Sequence, residues 1–236
     1  MSKPAISDQR AALMDLGLFL AAMFLIRELE VPGLGFFGHA LMYSLVTLVV
    51  ATWRLRVRGQ SWRSVGLLRP ESLSKMAAVT VLILVLVVAS VVFFEFILEL
   101  LFSSADADPS TASTDSRSDW KAGLEDNLVY FFSIIFIVWI ESFLEELNDR
   151  GFLLSRLEIL FSRIPFSTVL AVVSQAAIFG YRHSASRDVH AAIVVGIIGL
   201  VMGFAYVAFG RNLWALIIAH CFLNTMSMVE RYLGET

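Results

Sequence analysis

Long unbroken apolar stretches alternate with short polar connections from one end of this chain to the other. They run over roughly 11–28, 34–53, 76–102, 127–145, 166–183, 190–209 and 212–229. Each is close to the 20 or so residues with which a helix crosses roughly 30 Å of hydrocarbon. In lipid every backbone N–H and C=O must find its partner within the segment, so the stretches are predicted to be helices. The pattern therefore predicts an all-α fold, a polytopic transmembrane helical bundle of about seven spans. Arg27, Glu28 and Glu30 follow the first stretch without a small-residue cleavage pattern, so it is expected to be a retained anchor and not a signal peptide.

Composition supports this class. Hydrophobic residues make up 58 % of the 236 and charged residues only 17 %, which suits one integral membrane domain over 1–236 better than several soluble ones. The net charge of −3 gives no reason to expect nucleic acid as a partner; the expected partners are membrane lipids and a substrate. The single cysteine, Cys221, excludes an intrachain disulfide.

Charge placement predicts orientation. The loop 54–75 holds Arg54, Arg56, Arg58, Arg63, Arg69 and Lys75, and its side of the bundle carries 12 Lys and Arg against 6 on the other. The positive-inside bias then predicts a multi-pass protein of the cell membrane with a cytoplasmic N-terminus. The acidic, Ser/Thr-rich connection 103–121 reads as a flexible polar external loop.

One stretch breaks the apolar pattern with charge. "FLEELNDRGF", residues 143–152, places Glu145, Glu146 and Arg150 at the end of a run without any charge, "LVYFFSIIFIVWI". At about 100° per residue, Glu146 and Arg150 share a helix face and make a favourable i,i+4 ion pair. Glu145 sits about 140° from Arg150 and is left over. Two later stretches carry further polar residues into the bundle. "FGYRH" sets Phe179 and His183 one turn apart, and "HCFLN" does the same for His220 and Asn224. Burying such groups in hydrocarbon is costly, so they are expected to face the bundle interior. His39 and His190, near helix ends, are expected to be ordinary packing or capping residues.

Counting from a turn near Ile164-Pro165 brings two of these positions together. Glu145 lies 19 residues before Ile164 and His183 lies 19 after it. A long helix 4–helix 5 hairpin therefore sets them at one level, about 28 Å from the turn. An uninterrupted fifth span would carry His183 toward the external surface. A hairpin over 150–170 that protrudes into the cytoplasm removes the conflict, and Arg150, Arg156, Glu158 and Arg163 suit that wet environment.

In order and spacing, "EELNDRG", "FGYRH" and "HCFLN" resemble the EExxxR, FxxxH and HxxxN/D motifs of the CAAX-protease and bacteriocin-processing family, which includes the type II CAAX prenyl proteases. The "SVGLLRP" loop and "GLVMGFAYVAFGRNLWALIIAH" are also similar to that family, so the resemblance covers roughly 60–226. It implies an intramembrane endopeptidase acting on a peptide or membrane-anchored protein. Carried over by position, Glu145 is the base, Glu146 and Arg150 form a supporting ion pair, and His183, His220 and Asn224 complete the catalytic set. Asn148-Asp149 departs from the family, which usually has apolar or aromatic residues there, and Asp149 lies one turn from Glu145.

The chemistry fits peptide hydrolysis by a glutamate-activated water. A carboxylate takes the water's proton, and His220 with Asn224 supplies donors to the oxyanion. His183 orients the water or protonates the leaving amine. No metal or other cofactor is expected. A zinc metalloprotease using the same Glu and His residues is the nearest alternative, although HExxH is absent. A non-catalytic peptide-binding immunity protein and a transporter are the alternatives outside enzymology.

Overall fold

The computed structural model describes residues 5–102, 124, 126–184 and 189–234. Its helices are α1 (Ile6–Leu25, extended by a 3-10 turn, Ile26–Glu28), α2 (Gly35–Val57), α3 (Leu73–Phe102) and α4 (Leu128–Phe161). They are followed by α5 (Ser167–Ser184), α6 (Val189–Ala208) and α7 (Leu213–Tyr232). All seven lie close to the expected stretches, and the all-α bundle is as predicted. The connection 103–121 lies outside the described residues, apart from which no strand is formed.

Six of these helices are long and apolar enough to cross a membrane. The exception is α5, whose Ser174, Gln175, Arg182 and His183 lower its apolarity. Those residues are tolerated because α5 packs against α4 and α6 within the protein. Against α6 it uses small residues. A Cβ on Gly180 would stand 2.8 Å from the Ala192 carbonyl oxygen and 3.0 Å from the Gly196 Cα, so the two backbones touch without side chains between them.

Caps and turns fix where the helices begin. Asn127 accepts the Tyr130 N–H at the start of α4, and Asn212 accepts the Trp214 N–H at the start of α7. The loop before α3 docks under the bundle. Tyr206 donates to the Val65 carbonyl at 3.0 Å, and the Leu213 N–H donates to the Gly66 carbonyl at 2.9 Å. Gly66 has a φ of 104°, and a Cβ there would stand 2.5 Å from the Arg211 carbonyl oxygen. The "SVGLLRP" loop is therefore a clamp on the α6–α7 turn.

Helix α4 runs through to Phe161 as the hairpin requires, but not as one regular helix. It is α-helical to Glu146, π-helical over Leu147–Leu153 and α-helical again over Leu154–Phe161. All seven π-helical residues are buried. This corrects the wet environment expected for the hairpin's charges: Arg150 and Arg156 are buried and only Arg163 is exposed. Arg156 approaches Asp15 of α1 and donates to Gln60, while Arg54 donates to the same Asp15 at 2.7 Å. In the hydrocarbon-facing bundle these charges stay inside because each has an opposite or polar partner.

Candidate active site

The π-helical turn aims its side chains at two other helices and back along α4 itself. Asn148 donates to Thr47 Oγ1 of α2 at 3.0 Å. Asp149 Oδ2 lies 2.9 Å from Arg182 Nη1 of α5. Arg150 donates to Glu146 Oε1 at 2.9 Å, closing the expected i,i+4 pair with both side chains fully buried. A widened turn of this kind is uncommon and recurs at functional sites because it re-aims side chains without breaking the helix. Asn148 and Asp149, which depart from the family pattern, are thus both partnered.

The two neighbouring acids have different surroundings. Glu146 Oε1 takes the Arg150 hydrogen bond and a second contact at 2.8 Å from His220 Nδ1 of α7. Glu145 is not left over, as the helix geometry alone suggested. Its Oε1 accepts a 2.7 Å hydrogen bond from Arg182 Nη2 and lies 3.8 Å from His183 Nε2; its Oε2 lies 3.5 Å from His220 Nε2. The hairpin count therefore brings Glu145 and His183 together, and α7 adds His220. Asn224 stands one turn beyond His220 and donates to Ser142 Oγ at 2.9 Å. Ser142 precedes Glu145 by three residues, so Asn224 borders the same face of α4.

Hydrogen bonds at the far side of each imidazole fix what its near side can do. His183 Nδ1 is 2.7 Å from the Phe179 carbonyl oxygen, which can only accept, so Nδ1 carries a proton. In the neutral ring Nε2 is then the unprotonated nitrogen, 3.8 Å from Glu145 Oε1. His220 Nδ1 faces the Glu146 carboxylate and is likewise the protonated nitrogen. The phenyl ring of Phe179 lies within cation–π reach of two guanidinium groups, its centroid 4.6 Å from Arg150 Cζ and 4.7 Å from Arg182 Cζ, which gives the aromatic residue of the second motif a cation–π role.

Arg182 is the residue of this group that sequence reasoning missed. The available signal was a cation inside "FGYRH", on an otherwise apolar helix, in a chain with an extra carboxylate at Asp149. His39 and His190 stay apart from this group. His39 accepts the Val31 N–H, and His190 pairs with Glu95 at 3.1 Å. Cys221 Sγ lies 3.8 Å from the Trp139 carbonyl oxygen.

A cavity of about 1080 Å³ reaches this group from the end of the bundle where α1 stops and α2 and α4 begin. Tyr43, Ile134 and Glu141 line its walls, and Glu145, Arg182 and His183 line its inner part. The wall combines apolar and polar groups, as ligand-binding cavities do. Among the described residues no group of three His, Cys, Asp or Glu side chains is placed to hold a metal ion.

Comparison with known proteins connects this geometry to a family. Residues 127–226 match the family model described as type II CAAX prenyl endopeptidase Rce1-like. All three motifs and every residue around Glu145 contributed by α4, α5 and α7 fall within the match, which bears out the resemblance read from the motifs. No curated protein and no solved structure matches the chain.

Proposed function

We propose that this chain, Rce1-like over the segment that builds its site, is an intramembrane endopeptidase that hydrolyses peptide bonds with a water activated by Glu145. One observation carries the reading: a carboxylate with two imidazole Nε2 atoms 3.5 and 3.8 Å from its two oxygens, at the inner part of a large cavity. Glu145 Oε1 and, in a neutral ring, His183 Nε2 both accept hydrogen bonds, so one species lying between them can donate to each. Water has two protons to give.

The steps follow from that placement. The water oxygen attacks the scissile carbonyl carbon as Glu145 takes its proton. The oxyanion that forms is met by His220 and by the second N–H of Asn224. For Nε2 of His220 to donate, the ring must be imidazolium, and Glu146 on Nδ1 stabilises that charge as a buried carboxylate does in other hydrolases. The tetrahedral intermediate then collapses: the C–N bond breaks, the proton returns from Glu145 or through His183 to the leaving amine, and a carboxylate and an amine depart. Arg182 fixes Glu145 by one oxygen and supplies the positive charge beside it. A zinc ion ligated by Glu145 would have to share that carboxylate with the guanidinium, so the reading takes the water to be activated without metal.

The experiment is reconstitution of the purified protein with a peptide library, wild type beside Glu145→Gln, with products read by mass spectrometry. Cleavage by the wild type and none by the variant is the expected result. Equal products from both would remove Glu145 from the chemistry.

A further inference from the structure

Three arginines converge on one carboxylate at the end of the bundle away from the cavity mouth, where α1 begins and α2 and α4 end. Asp15 Oδ1 accepts from Arg54 Nε at 2.7 Å and from Arg58 Nη2 at 3.2 Å. Its Oδ2 accepts from Arg58 Nε at 3.2 Å and lies 3.8 Å from Arg156 Nε. Among the described residues no other carboxylate pairs with any of these guanidinium groups. The other acids of α1 and of the end of α4 are engaged elsewhere, Asp8 by the Ala5 N–H and Glu158 by Arg211. The cluster therefore holds three positive charges against one negative. Arg54 Nη2 and Arg156 Nε are buried without a hydrogen-bond partner, so its donors also outnumber its acceptors. A surplus of this kind repels itself most where the medium is dry and salt does not reach. Arg58 is the member that meets the surface: 27 % of its side chain is accessible, against 5 % for Arg54 and 3 % for Arg156.

We propose that Arg58, backed by the charges of Arg54 and Arg156, binds a phosphate group at the membrane surface, and that the headgroup of an acidic phospholipid supplies it. The site is independent of the hydrolytic reading, since none of the three arginines lines the cavity. Its surroundings are those of a lipid headgroup. Trp53, exposed on α2, lies with its ring 4.9 Å from Arg54 Cζ, and tryptophans gather at the headgroup level of a bilayer. Met14 and Val57, the chain neighbours of Asp15 and Arg58, are exposed and apolar, as contact with acyl chains requires. Basic pockets between membrane helices attract anionic headgroups, and guanidinium donors suit phosphate oxygens in number and direction. One phosphate on Arg58 offsets part of the surplus charge without disturbing the bonds to Asp15.

The test is titration of the full chain, purified in a neutral detergent, with phosphatidylglycerol, phosphatidylcholine or inorganic phosphate. Native mass spectrometry counts bound lipid, and melting curves report the stabilisation that binding to the folded state brings. Phosphatidylglycerol is expected to bind at one molecule per chain and to raise the melting temperature, and phosphatidylcholine to do neither. Arg58→Gln is expected to weaken phosphatidylglycerol binding about tenfold, the scale of one charge-assisted hydrogen bond. Arg58→Lys keeps the charge and is expected to retain part of the affinity, which guards against loss of folding. Arg56→Gln removes the same charge from the opposite, exposed face of α2 and is expected to bind as the wild type does. Equal binding of the two lipids, or binding of neither lipid nor phosphate, would overturn the proposal. Equal losses in Arg56→Gln and Arg58→Gln would overturn it too, by assigning the lipid to the diffuse positive charge of 54–75. Inorganic phosphate that stabilises the wild type, fails to stabilise Arg58→Gln and displaces the lipid would confirm the phosphate site and overturn its lipid source.

Discussion

Glu145 and Arg182 are joined by a 2.7 Å hydrogen bond across 37 residues of chain, and the same guanidinium lies 2.9 Å from Asp149. One cation therefore holds two carboxylates that a regular helix places one turn apart. Arg182→Met should leave both acids buried without a counter-charge. We expect a loss of about 3–5 kcal/mol, the range for breaking a buried pair from one side. Adding Asp149→Asn removes one of the two stranded charges and should recover part of that loss. Unfolding of the two singles and the double in detergent measures the coupling, and simple additivity would mean that Asp149 and Arg182 do not interact.

The α5–α6 contact makes a second prediction. At Gly180 an added Cβ meets backbone atoms, which cannot rotate aside, so Gly180→Ala should destabilise by about 1–3 kcal/mol. Gly17, on an exposed face of α1, has nothing within 4 Å of its added Cβ. Gly17→Ala should therefore be neutral or slightly stabilising. Paired melting curves decide between this close helix contact and a loose one, in which both variants would behave alike.

The spans were legible because a hydrocarbon-length apolar run admits only one backbone solution. The meeting of Glu145 with His183 was legible for a related reason: rise per residue is fixed, so equal counts on either side of the Ile164-Pro165 turn end at one level. Rotation was harder to read. Arithmetic at 100° per residue assumes a regular helix, whereas the turn from Leu147 to Leu153 is π-helical. Nothing in the hydrophobic pattern reveals that change of pitch. The partner of Glu145 depended on it and on the facing angle of α5, so Arg182 went unseen although it adjoins His183. Arg150 and Arg156 misled for another reason: a charge near a helix end reads as solvated until its packing is known, here the burial of the Glu146 pair and the approach to Asp15.

Metal dependence separates the two hydrolytic chemistries that use the same side chains. With Arg182 occupying one oxygen of Glu145, peptide cleavage should survive strong chelators. Metal analysis of active protein should find far less than one zinc per chain. Activity that disappears with chelator and returns only with added zinc would turn Glu145 and the histidines into ligands.

Orientation determines which compartment supplies the substrate. The cavity opens at the end of the bundle shared by the α1–α2 connection and the start of α4, opposite the basic loop 54–75. If the positive-inside bias sets the topology, 54–75 is cytoplasmic and the cavity opens externally. Single cysteines placed at Gln60 and Gly33, in a Cys221→Ser background, should then be protected and labelled respectively by an impermeant reagent on intact cells. The opposite pattern would reverse the orientation and open the cavity to the cytoplasm.

The two adjacent glutamates should separate activity from stability. Glu145→Gln leaves Arg182 paired with Asp149 and leaves the Glu146–Arg150 pair untouched, so the protein should keep close to wild-type thermal stability in detergent while cleavage is lost. Glu146 is fully buried, and its Oε1 serves both Arg150 and His220. Glu146→Ala strands a buried guanidinium and frees the imidazole that the proposed oxyanion site needs. Arg150→Ala strands the carboxylate. Each should cost about 3–5 kcal/mol and lower activity as well. The double Glu146→Ala/Arg150→Ala variant leaves neither charge unpaired, so it should be more stable than the sum of the singles predicts. It should nevertheless remain slow, because His220 has lost the carboxylate on Nδ1. A double variant that regains wild-type turnover would show that Glu146 serves only the fold, and turnover by Glu145→Gln would remove the proposed base.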